Sequence, residues 1–125
     1  MHRILLREIV IDVPTEQLAA TRDFWAAALT AQPRVVEDAT EFVALEHAAS
    51  LAMVGLQDVG SDAARLHLDI ESDAIEAEVS RLKRLGATEQ GRHGGWVVMR
   101  DPAGLLFCVV RPESPDFERR ARAVN

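Results

Sequence analysis

An internal repeat constrains this chain more than any other feature of its sequence. Residues 9–31 (IVIDVPTEQLAATRDFWAAALTA) align with residues 66–87 (LHLDIESDAIEAEVSRLKRLGA), and Asp12 falls on Asp69. Residues 42–56 (FVALEHAASLAMVGL) align with residues 96–110 (WVVMRDPAGLLFCVV). Identity between the halves is low, so the match rests on pattern. Each half reads as a short alternating strand, a helical stretch, and then a strand, a tight turn and a strand. A supersecondary unit used twice in one order predicts a repeat architecture. The predicted order is βαβββ–βαβββ. That is an α+β domain with a cupped, eight-stranded mixed sheet and helices on its outer face. The repeats are placed at about 4–57 and 65–111, within one domain over 1–111. Residues 112–125 read as a charged, exposed C-terminal tail, or an arm for a partner subunit.

Local signals set the elements. Pro14-Thr15 marks the start of a helix over 15–29, because Thr caps free amides. Leu18, Phe24, Trp25, Ala28 and Leu29 then lie on or beside one face and belong to the core. Asp73 and Glu76 resemble a capping box for a second helix over 73–85. Ile75, Val79, Leu82 and Leu85 recur there at helical spacing, and Gly86 follows where a left-handed cap is expected. Glu78 and Arg81 are read as a weak pair on its solvated face. In the strand beginning the second half, Leu66, Leu68 and Ile70 share one face, and Arg65, His67 and Asp69 share the other. By the repeat, Glu8, Val10 and Asp12 face the same way as His67. Asp101-Pro102-Ala103-Gly104 is a turn, with His47-Ala48-Ala49-Ser50 its weaker counterpart.

Composition excludes several classes. The chain has 125 residues, 48% of them hydrophobic, with a formal net charge of −6. Nucleic-acid binding needs a concentrated basic face, which an acidic chain with one short basic stretch (Arg119, Arg120, Arg122) does not offer. No apolar run approaches the ~20 residues of a membrane span. The start is interrupted by Arg7 and Glu8 and does not read as a signal peptide. A single cysteine, Cys108, permits no intrachain disulfide, and a reducing, cytoplasmic compartment is expected.

The segments RLHLDIESDAIEAEVSRLKRLGA and GGWVVMRDPAGLLFCVV resemble the second half of glyoxalase-like proteins of the vicinal-oxygen-chelate superfamily. The likeness is carried by His67, the Leu85-Gly86-Ala87 helix end, Trp96 and the Asp101-Pro102-x-Gly104 turn before Phe107-Cys108. DFWAAAL (residues 23–29) is similar to the family's aromatic helix segment. The superfamily spans glyoxalase I, methylmalonyl-CoA epimerase, extradiol dioxygenases, fosfomycin-inactivating transferases and non-catalytic bleomycin-binding proteins. The resemblance implies the fold but leaves function to the site. It also implies a homodimer, since such proteins pair or swap halves.

Metal-dependent members use four pocket-facing positions, one on the first and one on the last strand of each half. The resemblance maps these to Val10, Val54, His67 and Cys108. The two valines offer no ligand atom, so no cofactor is assigned; if a divalent metal binds, His67 and Cys108 are its ligands, and Glu8, Asp12, Asp69 or Glu46 contribute if the register is shifted by one or two residues. The first reading is a metal-independent protein that binds or sequesters a small organic ligand. Its pocket is lined by Val10, Phe42, Glu46, Val54, His67, Trp96, Arg100 and Cys108. Phe42 and Trp96 occupy matching positions and provide aromatic walls. Glu46 and Arg100 match as well, as a pair across the pocket, a hold on a charged substrate or ordinary surface ions. The alternative is a lyase, isomerase or dioxygenase with His67 as base or ligand. Otherwise His67 is a structural imidazole bonded to Asp69 or Arg65. Cys108 also reads as a small apolar filler. His93 lies in a glycine-rich loop read as a flap or mobile hairpin, and His2 and His47 are read as exposed.

Overall fold

Alternating β-branched and apolar residues build the strands, and 3.6-residue periodicity builds the two main helices, in the order the repeat predicts. The computed structural model describes residues 1–28, 31–48, 54–60, 63–102 and 104–125, without the side chains of Phe24 and Ala28. The elements are β1 (His2–Val13), a 3₁₀ turn (Thr15–Gln17), α1 (Leu18–Ala28), β2 (Gln32–Val36), β3 (Ala39–Glu46) and β4 (Val54–Asp58). There follow β5 (Arg65–Ser72), α2 (Ile75–Arg84), β6 (Thr88–His93), β7 (Trp96–Arg100), β8 (Leu106–Val110), α3 (Phe117–Arg120) and β9 (Arg122–Val124). The fold is α+β with mixed strands, as expected.

The chain divides into two compact units, residues 8–67 and residues 1–7 with 68–125. In the first, β1 pairs parallel with β4, β4 antiparallel with β3, and β3 antiparallel with β2. In the second, β5 pairs parallel with β8, β8 antiparallel with β7, and β7 antiparallel with β6. The same ladder is built twice. Each unit has its own core. Val13, Val43, Leu45, Val54 and Leu56 pack with Leu18 and Trp25 of the α1 segment. Val97, Met99, Phe107 and Val109 pack with Val79 of α2, and with Ile75, Leu82, Leu68 and Ile70. Phe24, Ala28 and Leu29, expected in the first core, lie outside the residues or side chains described, as do Ala49, Ser50 and Ala103 of the two turns.

Several local expectations are corrected. Asp73 does not cap α2. Its carboxylate accepts from the Arg3 backbone N–H and Arg3 Nε, both at 2.8 Å, while Ser72 Oγ accepts from the Ala74 N–H. A charged guanidinium outcompetes a neutral amide for the carboxylate. Leu85 is 65% exposed and belongs to the end of the helix, not its apolar stripe. Gly86 does adopt the left-handed cap conformation, with φ 108°.

Glu78 is not on a solvated face. It is fully buried and takes a bidentate pair from Arg81, both contacts at 2.8 Å. His2, read as exposed, is buried and donates to Glu78 Oε2 at 2.6 Å. Burial alone would push the Glu78 carboxyl up, but the hydrogen bonds from Arg81 and His2 outweigh it and hold it below the ordinary glutamate range. A carboxyl depressed in the folded state contributes stability above its unfolded pKa and loses it as pH falls through its folded pKa. The melting temperature is therefore expected to fall on acidification below the usual glutamate range. Glu78→Gln should flatten that acid limb in melts recorded as a pH series. An unchanged acid limb would contradict the assignment.

The tail is corrected too. β9 pairs antiparallel with His2, Arg3 and Ile4 of β1, and Phe117 of α3 is buried under the Arg3 guanidinium, 5.3 Å from the ring centroid. One buried aromatic and a three-residue strand tie the segment to its own chain, although most of its residues are exposed, as read. This adds a ninth strand and a third helix to the predicted set.

Candidate functional site

Strand β5 divides its side chains as alternation requires. Leu68 and Ile70 enter the core beneath α2, which turns His67 and Asp69 to the opposite face. His67 is buried, and its Nδ1 lies 3.0 Å from both carboxylate oxygens of Asp12. Asp12 is 1% exposed and also accepts from Arg65 Nε at 3.1 Å. A carboxylate only accepts, so the ring donates to it from Nδ1. Asp12 thus fixes the orientation of the ring. The sequence reading offered Asp69 or Arg65 as the partner of His67. The repeat, which placed Asp12 opposite Asp69 and on the His67 side, was the available signal for Asp12.

Cys108 is the ladder partner of Asp69 on β8. The ligand atoms of His67, Asp69 and Cys108 all lie within 4.8 Å of one another. Nitrogen, oxygen and sulfur donors in one cluster fit a borderline-soft divalent ion such as zinc, not magnesium or calcium, which prefer oxygen alone. Asp12 behind His67 is the kind of outer carboxylate that a metal-ligating histidine uses. Asp69, which the sequence offers as a ligand only through a shifted register, stands in this set with His67 and Cys108.

The other sequence-chosen residues separate. Val10 lies on the Asp12 side of β1, fully buried. Val54 does not share that side. It is 3% exposed and packs in the core with Leu56 and Trp25. Alternation gives the opposite face of β4 to Gly55 and Gln57, which stand beside Val10 and Asp12 in the β1–β4 ladder. The Phe42 ring covers Gly55, so closely that a Cβ there would overlap Phe42 Cζ. The mapping was one residue out, and a one-residue slip in a strand moves a side chain to the other face.

Glu46 and Arg100 are each engaged locally. Arg34 Nε donates to Glu46 Oε1 at 2.5 Å, and Arg100 Nη1 donates to the Gly104 carbonyl at 2.8 Å. Trp96 lies at the β6–β7 hairpin, stacked on His93. His93 ends a strand rather than lying in a loop, and only Gly94-Gly95 form the turn. His47 is exposed, as read, with φ 58°.

Fold and cluster together describe a two-repeat domain with a histidine-centred polar face, and comparison with known proteins places it. Residues 8–110 match the family model for the glyoxalase-like domain. The chain belongs to that family. No curated protein matches the sequence. Among solved structures it is similar to a hypothetical protein from Bacillus halodurans C-125, with TM-score 0.61 and 14% identity over 98% of this chain and 99% of the other. It is similar to a glyoxalase/bleomycin resistance protein/dioxygenase superfamily member from Vibrio splendidus 12B01, with TM-score 0.54 and 16% identity over 86% of this chain and 100% of the other. Methylmalonyl-CoA epimerase from Mycobacterium tuberculosis matches with TM-score 0.52 and 16% identity, over 87% of this chain and 88% of the other. At these identities the likeness carries the fold alone. Among the described residues, no helix is long and apolar enough to cross a membrane.

Proposed function

We propose that this chain binds a small organic molecule through His67, without requiring a metal. The observation that carries the reading is the buried Asp12–His67 pair. A buried imidazole anchored by a buried carboxylate is held in one orientation, which preorganises it as a hydrogen-bonding group for a ligand. Val10 beside Asp12 supplies apolar surface. A screen of small metabolites and drugs by thermal shift is expected to find stabilising ligands. His67→Ala should weaken those ligands by about tenfold or more, the cost of a lost hydrogen bond from a buried group. A hit whose affinity ignores His67→Ala, or a broad panel with no hit, would sink the reading.

A second reading follows from the His67, Asp69 and Cys108 cluster. These residues would hold a zinc-class ion, which polarises a substrate oxygen and opens the superfamily's lyase, isomerase and dioxygenase chemistry. Metal content after purification without chelators or a metal-binding tag separates the two readings. About one ion per chain, lost in Cys108→Ser and His67→Ala, would favour the metal. Ligand binding that is unchanged by chelators would favour the first reading. The proposal includes a homodimer and a cytoplasmic site of action. Light scattering would test the former against the 13.8 kDa mass of one chain.

A further inference from the structure

A groove lies on the β6–β7 hairpin, in the unit formed by residues 1–7 and 68–125. None of His67, Asp12, Asp69 or Cys108 lines it, and its volume is about 270 Å³. Ile75 and Val97 contribute apolar surface. Trp96 and His93 form a stacked pair, with ring centroids 4.8 Å apart and planes 19° from parallel. Trp96 nevertheless remains 40% exposed, although it begins a strand whose alternate residues are buried. A large aromatic held in one orientation by a neighbour, yet left open to a groove, is a stacking platform.

Two arginines line the same groove and differ in their surroundings. Arg92 is engaged by Glu76 and Glu89 on its two sides. Arg111 has no ion pair or hydrogen bond among the described residues. Its guanidinium lies against the Gly95 backbone. A Cβ at that position would stand 2.9 Å from Nη2 and 3.7 Å from Cζ, so the glycine leaves the space that the cation occupies. The groove therefore joins an aromatic platform, an apolar lining and, beside the Glu76–Arg92 pair, a planar cation that no carboxylate of the described residues engages. A guanidinium favours a bidentate oxyanion, and an indole favours a flat ring. The volume suits a one- or two-ring molecule rather than a nucleotide or peptide.

We propose that this groove binds a flat aromatic carboxylate, with its ring against Trp96 and its carboxylate on Arg111. The site is independent of the His67 reading. The probe is 2-naphthoate, titrated by calorimetry at low salt, with 2-naphthamide as the neutral molecule of the same shape. Naphthoate should bind saturably, and the amide about tenfold more weakly, the usual weight of a charge-assisted pair. Arg111→Gln should weaken naphthoate by about tenfold, and Trp96→Ala by several-fold. Both side chains are exposed, so circular dichroism should show an unchanged fold. Gly95→Ala keeps the charge but displaces the guanidinium, and should also weaken binding. Absence of saturable binding, an affinity equal in Arg111→Gln and Trp96→Ala to that of the parent, or equal binding of acid and amide would each overturn the proposal.

Discussion

Val54→Asp should unfold the first unit, whereas Gln57→Asn, three residues along the same strand, should be tolerated. Val54 is packed among Val13, Val43, Leu45 and Leu56 under the α1 segment, with no polar partner at hand. An aspartate there must either bury an unpaired charge or bind a proton at neutral pH, and it forfeits the packing of the valine. The combined cost is on the order of 4 kcal/mol or more, a large part of the ~5–15 kcal/mol that stabilises a domain of this size. Gln57 is only half-buried and already polar, on the opposite face of β4. Urea unfolding of the two variants makes the comparison. A stable Val54→Asp with a folded spectrum would mean that Val54 faces the open side, and that the register stated above is wrong.

Glu71→Ala should destabilise the protein by about 3–5 kcal/mol and should loosen the C-terminal segment first. Glu71 is 0% exposed. Its Oε1 accepts from the Glu113 and Ser114 backbone N–H groups at 2.9 and 2.8 Å, from Ser114 Oγ at 2.9 Å and from Arg7 Nη1 at 3.0 Å. Arg7 also reaches Glu113 at 3.0 Å. Truncation leaves a cavity, two backbone donors without their acceptor and a partly buried guanidinium without its main counter-charge. The segment that follows, α3 and β9, depends on this anchor and on Phe117. Hydrogen exchange should show the 113–124 amides losing protection before the β7 and β8 amides do, and trypsin should cut sooner at Arg119 and Arg120. Glu71→Gln should cost less, because its amide oxygen still accepts from the backbone. Equal protection of the segment in Glu71→Ala and the parent would dismiss the anchor.

Much of the fold was readable because its signals are local. Strand alternation put Leu68 and Ile70 in and His67 out, helical spacing placed Ile75, Val79 and Leu82 under α2, and Gly86 marked the helix end at a positive φ that glycine adopts cheaply. The site was less readable. His67 was found because a charged or imidazole residue on an alternating strand has only one face to occupy. Val54 was misplaced because its position came from counting across a poorly matched turn, where one residue of error reverses the face. The Glu78–Arg81 spacing predicts a pair correctly but says nothing about burial, which His2, 76 residues away in sequence, helps to enforce.

The sequence by itself therefore determined the repeated βαβββ plan, the two amphipathic helices, the face of β5 that carries His67, and the family resemblance. Each of these follows from the spacing of neighbouring residues along the chain. Only the tertiary structure decided that Asp12 holds His67, that Asp69 joins His67 and Cys108, that Arg111 stands beside Trp96 with no ionic partner among the described residues, and that the last residues fold back onto Glu71 and β1. Those outcomes depend on which carboxylate reaches which cation across tens of residues. Ionic and hydrogen-bonding partners are chosen by distance in space, and no local periodicity encodes that.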